Sequence, residues 1–360
     1  MNIGVIHGFV GGGGGTEKTL YAILDALENS KHSVTLYTFS KPKIKLKKIK
    51  IKTILPISVP SFGLYQRAME SRLIAKAKNE DILIQASGGL GIPFSKTQKI
   101  IVYCHSDFSN ELDNPTTKYK GIWSLYYKPY YKMIKKFVDN LSNPQIFLVS
   151  NSKFIHNSIK SKHGKNSKII YPPVDLEEFN PKNKKNEVIS IGRFSEEKNL
   201  EFGIDVMSKL ELSYYIVGNT KTKSNVFYYN KLESKIKKLG SESQIKLLKN
   251  IDRTDLVTRL NNSKIFFHCS NETFGISVIE SIAAGCIPIV PDNSAHKETV
   301  PFEELRYNEN DLTDAKNKIK RAIGGEFDSM MKPLRDSIDK FSKKQFQQSF
   351  LDILDNVVKV

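Results

Sequence analysis

Short apolar runs return along this chain, and most are followed by a stretch whose apolar residues repeat with helical spacing. The runs occupy residues 2–7, 33–38, 81–85, 99–104 and 146–150, then 188–191, 214–218, 244–248, 265–269 and 287–290. Regular alternation of strand and helix predicts a parallel sheet covered on both faces, an α/β fold. The series is interrupted once. Tyr171, Pro172 and Pro173 lead into a Lys- and Asn-rich stretch reaching Asn186, which reads as a linker over 169–186. A chain of 360 residues suits two domains of ordinary size. The expected boundaries are 1–174 and 175–340.

Residues 271–285 carry the most chemistry. They follow an apolar strand, open an apolar helix near Gly275 and close it at Gly285 before another short strand. Glu272 lies on the loop and Glu280 inside the helix. A helix start presents unpaired N–H groups and a positive dipole end, which suits a phosphate. A glutamate is seldom buried on an apolar helix without a partner, and a carboxylate there suits the vicinal hydroxyls of a ribose. Together these features predict a site for a sugar joined to a nucleoside diphosphate.

Other strand ends add to it. Gly192 and Arg193 follow residues 188–191, with Lys198 close behind, and two cations there neutralise a diphosphate. His105 stands at the carboxyl end of residues 99–104, where open α/β sheets bind ligands. Between the first strand and first helix lies Gly11 to Gly15, a glycine run whose backbone can approach a ligand closely. It is not a dinucleotide fingerprint, because Thr16 takes the place of the last glycine and no acidic residue ends the next strand. No Asp-x-Asp pair marks a strand end, so the chemistry is expected to need no metal and no cofactor.

The net charge of +17 is unevenly placed: residues 1–174 carry 26 Lys and Arg against 10 Asp and Glu, while the remainder is nearly neutral. An anionic membrane surface with a phosphorylated lipid, or a nucleic acid, would suit such a basic half. Residues 41–52 alternate lysine with aliphatic residues and predict a strand with one cationic face, either a protected sheet edge or a membrane-facing surface. Residues 64–78 predict an amphipathic helix. Residues 123–137 mix six aromatics with four lysines and read as a core helix or as an interfacial surface. Cys104, Cys269 and Cys286 are dispersed with no paired spacing, which points to a reducing compartment without disulfide or zinc. No signal peptide or membrane span is expected.

These residues together resemble the retaining glycosyltransferases of family 4, and most closely the α-1,2-mannosyltransferases that extend dolichol-pyrophosphate oligosaccharides. The resemblance rests on the glycine loop with its continuation GGTEKTL, on His105, on GRFSEEKN around Gly192, Arg193 and Lys198, on Gly218, on YPPVD, and on Glu272 and Glu280 in ETFGISVIE. Ser106 and Asp107 depart from the pattern, which often has an aromatic continuation after the histidine.

The resemblance implies the GT-B architecture: two Rossmann-like domains facing across a cleft, with a C-terminal helix, 341–360, returning to the first domain. It implies that Glu280 binds the donor ribose and Glu272 the hydroxyls of the transferred sugar. Arg193 and Lys198 would stabilise the departing diphosphate, helped by Phe274, Gly275 and Ile276. Gly13, Gly14 and Gly15 would lie near the phosphates and donor sugar, and His105 would contact the sugar. The base pocket is expected around Lys249, Asn250 and Ile251, and Gly218 is expected to line the nucleotide site. The expected donor is GDP-mannose and the expected acceptor a lipid-linked oligosaccharide, met peripherally on the cytoplasmic face of a membrane, with no nucleic acid bound. A UDP-sugar transferase for cell-surface polysaccharide is the second reading, and a nucleic-acid-binding protein using the basic half is the third.

Overall fold

The structure, a computed structural model, describes residues 1–11, 13–42, 44, 46–55, 72–88, 95–108, 122–181 and 183–359, without the side chains of 122–127, 129, 130 and 133. The chain divides into two compact units. The first comprises Met1–Pro173 with Lys343–Val360, and the second Val174–Ser342.

The first unit runs β1 (Asn2–Ile6), α1 (Gly15–Glu28), β2 (Ser33–Thr38), β3 (Lys50–Thr53), β4 (Ile82–Gln85), β5 (Lys99–Cys104), α2 (Ile122–Asp139), β6 (Ile146–Ser150), α3 (Lys153–His163) and β7 (Lys168–Ile169). The seven strands are parallel, in the order β3-β2-β1-β4-β5-β6-β7. Strand order therefore reverses between β1 and β4. Alternate residues serve two cores. Ile3, Val5, Ile84, Ile101 and Tyr103 face the side of α1, while Ile6, Leu83, Ile100, Val102 and Cys104 join Phe137, Ile155 and Ile159 on the other. Burial on both faces is why these strands read as nearly unbroken apolar runs.

The second unit runs β8 (Lys185–Ile191), α4 (Leu200–Met207), β9 (Ser213–Gly218), α5 (Lys223–Lys238), β10 (Ile245–Lys249), α6 (Arg253–Asn262), β11 (Ser263–Phe267), α7 (Ile276–Ala283), β12 (Ile287–Pro291), α8 (His296–Thr299), β13 (Arg306–Tyr307), α9 (Leu312–Ile323) and α10 (Met331–Asp336). Its six strands are also parallel, in the order β10-β9-β8-β11-β12-β13, and reverse between β8 and β11. The chain then crosses back, and α11 (Lys343–Lys359) buries Phe346, Phe350, Leu354 and Val357 in the first unit's core. The two units are doubly wound Rossmann-like sheets.

Two expectations need correction. Among the described residues of 41–52, strand begins only at Lys50, where β3 (Lys50–Thr53) starts; Lys43 and Lys45 lie outside the described residues. The Lys47 and Lys48 amides instead donate to the Glu28 carboxylate, and Ile44 and Leu46 pack on the core, so the chain bends before it can pair. What remains is an edge strand with lysines turned outward. The stretch expected as a linker, 169–186, does contain the boundary between the units, after Pro173, but from Val174 onward it is pinned within the second unit. Val174 bridges to Ser342, the Asn180 amide donates to Asn261 Oδ1 at 3.1 Å, and Lys185 already opens β8. Backbone and side-chain hydrogen bonds override its polar composition.

Most of the helix expected at 64–78 lies outside the described residues, of which 72–76 are helical. In α2, Ile134 and Phe137 pack into the core and Lys128, Lys132, Lys135 and Lys136 are exposed; the side chains of Trp123 and Tyr130 lie outside the described residues. Among the described residues no helix is long and apolar enough to cross a membrane. All three cysteines are buried free thiols.

Candidate active site

The reversal point of the second sheet gathers Lys198, Glu272 and the start of the helix that carries Glu280. Beyond β8 the Gly192 amide donates to the Val217 carbonyl at 3.0 Å. A Cβ on Gly218 would lie 2.3 Å from the Gly192 carbonyl oxygen, so the neighbouring strand ends close only with glycine there. Phe194 is fully buried and anchors the following turn, which brings Lys198 round towards β11.

Lys198 Nζ meets Glu272 Oε1 at 2.5 Å, with both side chains largely buried. His268 Nε2 approaches the same oxygen at 3.3 Å. Burial alone would raise the Glu272 pKa. The His268 hydrogen bond and the Lys198 charge outweigh it and hold the carboxyl well below the usual range. Arg193 is not brought into this cluster. Its guanidinium pairs with Glu197 at 2.9 Å on the surface, 62% exposed.

The Glu272 loop ends at Gly275, whose φ of +88° admits glycine readily and caps α7. Phe274, 2% exposed, packs edge-on against Phe341 at 5.2 Å and fixes the entry to the helix. α7 starts at Ile276, and a Cβ on Gly275 would stand 3.7 Å from Glu272 Cβ, so the helix start lies next to Glu272. Glu280 lies one turn in, buried, and Arg253 Nη2 reaches its Oε1 at 2.8 Å. Arg253 also grips Glu178 through Nε at 2.8 Å and Nη2 at 2.5 Å, so one guanidinium bridges two carboxylates. Burial works against the Arg253 charge, but these two carboxylates raise its pKa overall.

Asn250 sits left-handed, with φ +55°. Its amide donates to the Gly218 carbonyl at 2.8 Å, and its side chain closes a pair with Thr220 at 3.0 and 2.9 Å. The Asn250 side chain is thus used in shaping the turn at the end of β9. Ile251 beside it is half-buried.

In the first unit, His105 follows β5 with Nε2 2.9 Å from the Ala86 carbonyl, which makes Nε2 the protonated nitrogen. Burial lowers its pKa to about 4 against the raising effect of that carbonyl, so the ring is neutral at pH 7. Gly13, Gly14 and Gly15 lead into α1 as predicted from the sequence, with Gly15 its first residue. The Gly11 and Gly13 amides donate to Glu17, and the Gly14 amide does so at 3.3 Å. Among the described residues, the amides of Gly11, Gly13 and Gly14 are taken by a carboxylate from the first turn of α1.

Sequence reasoning missed Arg253, Glu178, His268 and Glu17. Glu17 had a readable signal, because a glutamate at the third helical position reaches back to the amides before the helix. His268 stands four residues before Glu272, a spacing that carries no weight until the bend between them is known.

Residues 174–345 match the family described as Glycosyl transferases group 1, and residues 13–178 the family described as Glycosyltransferase Family 4. The chain is similar to the GDP-Man:Man(3)GlcNAc(2)-PP-Dol alpha-1,2-mannosyltransferase of Dictyostelium discoideum, with 26% identity over 271 residues, 68% of this chain and 53% of that one. The Mus musculus protein of the same description is 29% identical over 56% of this chain and 46% of its own length. The chain thus spans about half the length of these relatives. Among solved structures, sucrose-phosphate synthase from Thermosynechococcus elongatus shares the fold, with a TM-score of 0.78 at 14% identity over 99% of both chains.

Proposed function

The chain belongs to the glycosyltransferases, its residues 13–178 matching Family 4 and its residues 174–345 group 1, and from that premise we propose that it transfers mannose from GDP-mannose to a lipid-linked oligosaccharide with retention of configuration. The observation that carries this reading is the meeting of Lys198 and Glu272 beside the start of α7, with Glu280 a turn further on and held by Arg253.

In this reading Glu280 accepts hydrogen bonds from the ribose and Glu272 from the mannose hydroxyls. The α7 amides and Lys198 receive the diphosphate. An ammonium has three donors, so Lys198 can hold Glu272 and a phosphate oxygen together. Arg193 reaches the phosphates by giving up only an exposed surface pair, which costs little. As the bond from the sugar's anomeric carbon to the phosphate oxygen lengthens, positive charge develops on the sugar and negative charge on the leaving diphosphate. Cations and helix amides already aimed there stabilise that state most. The acceptor hydroxyl oxygen then bonds the anomeric carbon, and its proton passes to the departing diphosphate. Neutral His105 contacts the sugar as a hydrogen-bonding group, and the reaction proceeds without metal.

The basic first unit faces an anionic membrane surface at the cytoplasmic side, where such an acceptor is displayed. This part of the reading is supported by the exposed lysines of α2 and β3.

The test is transfer from radiolabelled GDP-mannose to a polyprenyl-pyrophosphate oligosaccharide in anionic vesicles, with and without EDTA, beside UDP-glucose. EDTA-resistant mannose incorporation is expected. Incorporation from UDP-glucose alone replaces the donor with that of the second reading. Absence of transfer with salt-sensitive RNA or DNA binding that GDP-mannose does not displace would favour the third.

A further inference from the structure

The backbone around Glu272 is held by three consecutive residues that the proposed chemistry does not use. Ser294 Oγ accepts from the Glu272 amide at 3.1 Å, and the Ala295 amide donates to the Glu272 carbonyl at 3.2 Å. His296 Nε2 lies 3.0 Å from the Ser270 carbonyl. A carbonyl only accepts, so Nε2 carries the hydrogen and Nδ1 holds a lone pair. His296 is fully buried and its Nδ1 has no hydrogen-bond partner. Its Cε1 lies 3.6 Å from where a Cβ of Gly275 would stand, so the ring edge rests against the start of α7. On its other side the ring meets His268 edge-on at 5.1 Å, and His268 in turn touches the Glu272 carboxylate.

Ser294 adopts φ +49°, a conformation that costs a non-glycine residue free energy, to present its hydroxyl to the Glu272 amide. A buried imidazole with one nitrogen unpaired is likewise costly. Both costs fall on residues whose bonds converge on the bend from Ser270 to Glu272.

We propose that His296 is a positioning residue for transfer: by holding the Ser270 carbonyl it sets the bend that aims the Glu272 carboxylate at the donor sugar. The inference rests on the reading of Glu272 as the sugar-binding carboxylate. It distinguishes nucleotide binding, which depends on Glu280 and the α7 amides, from sugar binding, which depends on where Glu272 points.

The experiment measures equilibrium affinity for GDP and for GDP-mannose, with UDP and UDP-glucose alongside, together with kcat. His296→Leu keeps bulk and removes the donor, while His296→Gln places an amide nitrogen near the lost Nε2. His296→Leu is expected to leave GDP affinity unchanged and to lose about tenfold of the affinity added by the sugar, one hydrogen bond's worth, with a fall in kcat. His296→Gln should restore most of both. Equal loss for GDP and GDP-mannose, or an unchanged ratio in a folded variant, overturns the proposal. If His296→Leu does not fold, Ser294→Ala must lower the same ratio, and an unchanged ratio there also overturns it. Glu272→Gln separates the two levels. If it too leaves the ratio unchanged, the sugar-site reading fails and takes this inference with it. If it abolishes the ratio while His296→Leu does not, the role of His296 alone is lost.

Discussion

Arg253 holds Glu280 at 2.8 Å from the first turn of a different helix, and Glu178, from the start of the second unit, holds the same guanidinium at 2.5 Å. The carboxylate assigned to the donor ribose is therefore aimed by a cation that has a second anchor. A buried carboxylate is costly unless cations or hydrogen bonds offset its lost hydration.

Removing Arg253 should accordingly cost more than removing Glu178. Arg253→Leu takes from the buried Glu280 the cation that pairs with it at 2.8 Å, and a loss of roughly 2–4 kcal/mol is expected, below the full range for a buried pair because Arg253 is partly exposed. GDP affinity should fall with it. Glu178→Gln, which spares the bond to Glu280, should cost no more than about 1 kcal/mol. Denaturant titration and GDP binding on both variants check the order.

Lys198 and Glu272 form an ion pair, and the proposed function gives each partner a separate role. Lys198→Met and Glu272→Gln should each lower kcat by about 100-fold or more, as for other groups that stabilise developing charge. Their effects on stability should not add, because the double variant leaves no stranded charge. A coupling of about 1–3 kcal/mol is expected from a double-mutant cycle. Additive losses would mean that the pair contributes nothing in the unliganded protein.

Glu17 collects the glycine-loop amides, and a carboxylate accepts such bonds more strongly than a neutral amide. Glu17→Gln should leave the fold intact and speed amide hydrogen exchange at Gly11, Gly13 and Gly14. Unchanged exchange at those three positions would show that the carboxylate does not order the loop.

Acid should destabilise the protein in two stages. Burial, as the leading cause, lowers His105 to about 4 and His296 to about 3, whereas an unfolded histidine titrates near 6.5. Below pH ~6.5 the unfolded chain binds protons that the folded chain refuses, so stability falls as pH drops towards 4, by up to about 1.4 kcal/mol per pH unit for each group. Glu272 acts lower still: its depressed pKa contributes stability above the ordinary glutamate value of about 4.3, and that is lost as pH falls further. Denaturant midpoints from pH 7.5 to 4 check the first stage, and His296→Gln should flatten it.

Much of this protein is legible in its residues taken in order. Alternating apolar strands and helices determine two parallel sheets, because both faces of each strand must be buried. Gly275, Glu272 and Glu280 are close in the chain, so a single turn and helix determines their arrangement. The cationic stretch at residues 41–52 misled, since its alternating pattern ignores the Glu28 carboxylate that captures the Lys47 and Lys48 amides. The partners of the two carboxylates were not legible. Lys198 is 74 residues from Glu272, and Arg253 stands 27 residues from Glu280 and 75 from Glu178. Local periodicity carries no information over such separations. Only the reversal of strand order between β8 and β11 brings those loops to one edge of the sheet, and there the charge of each buried carboxylate selects the cation that holds it.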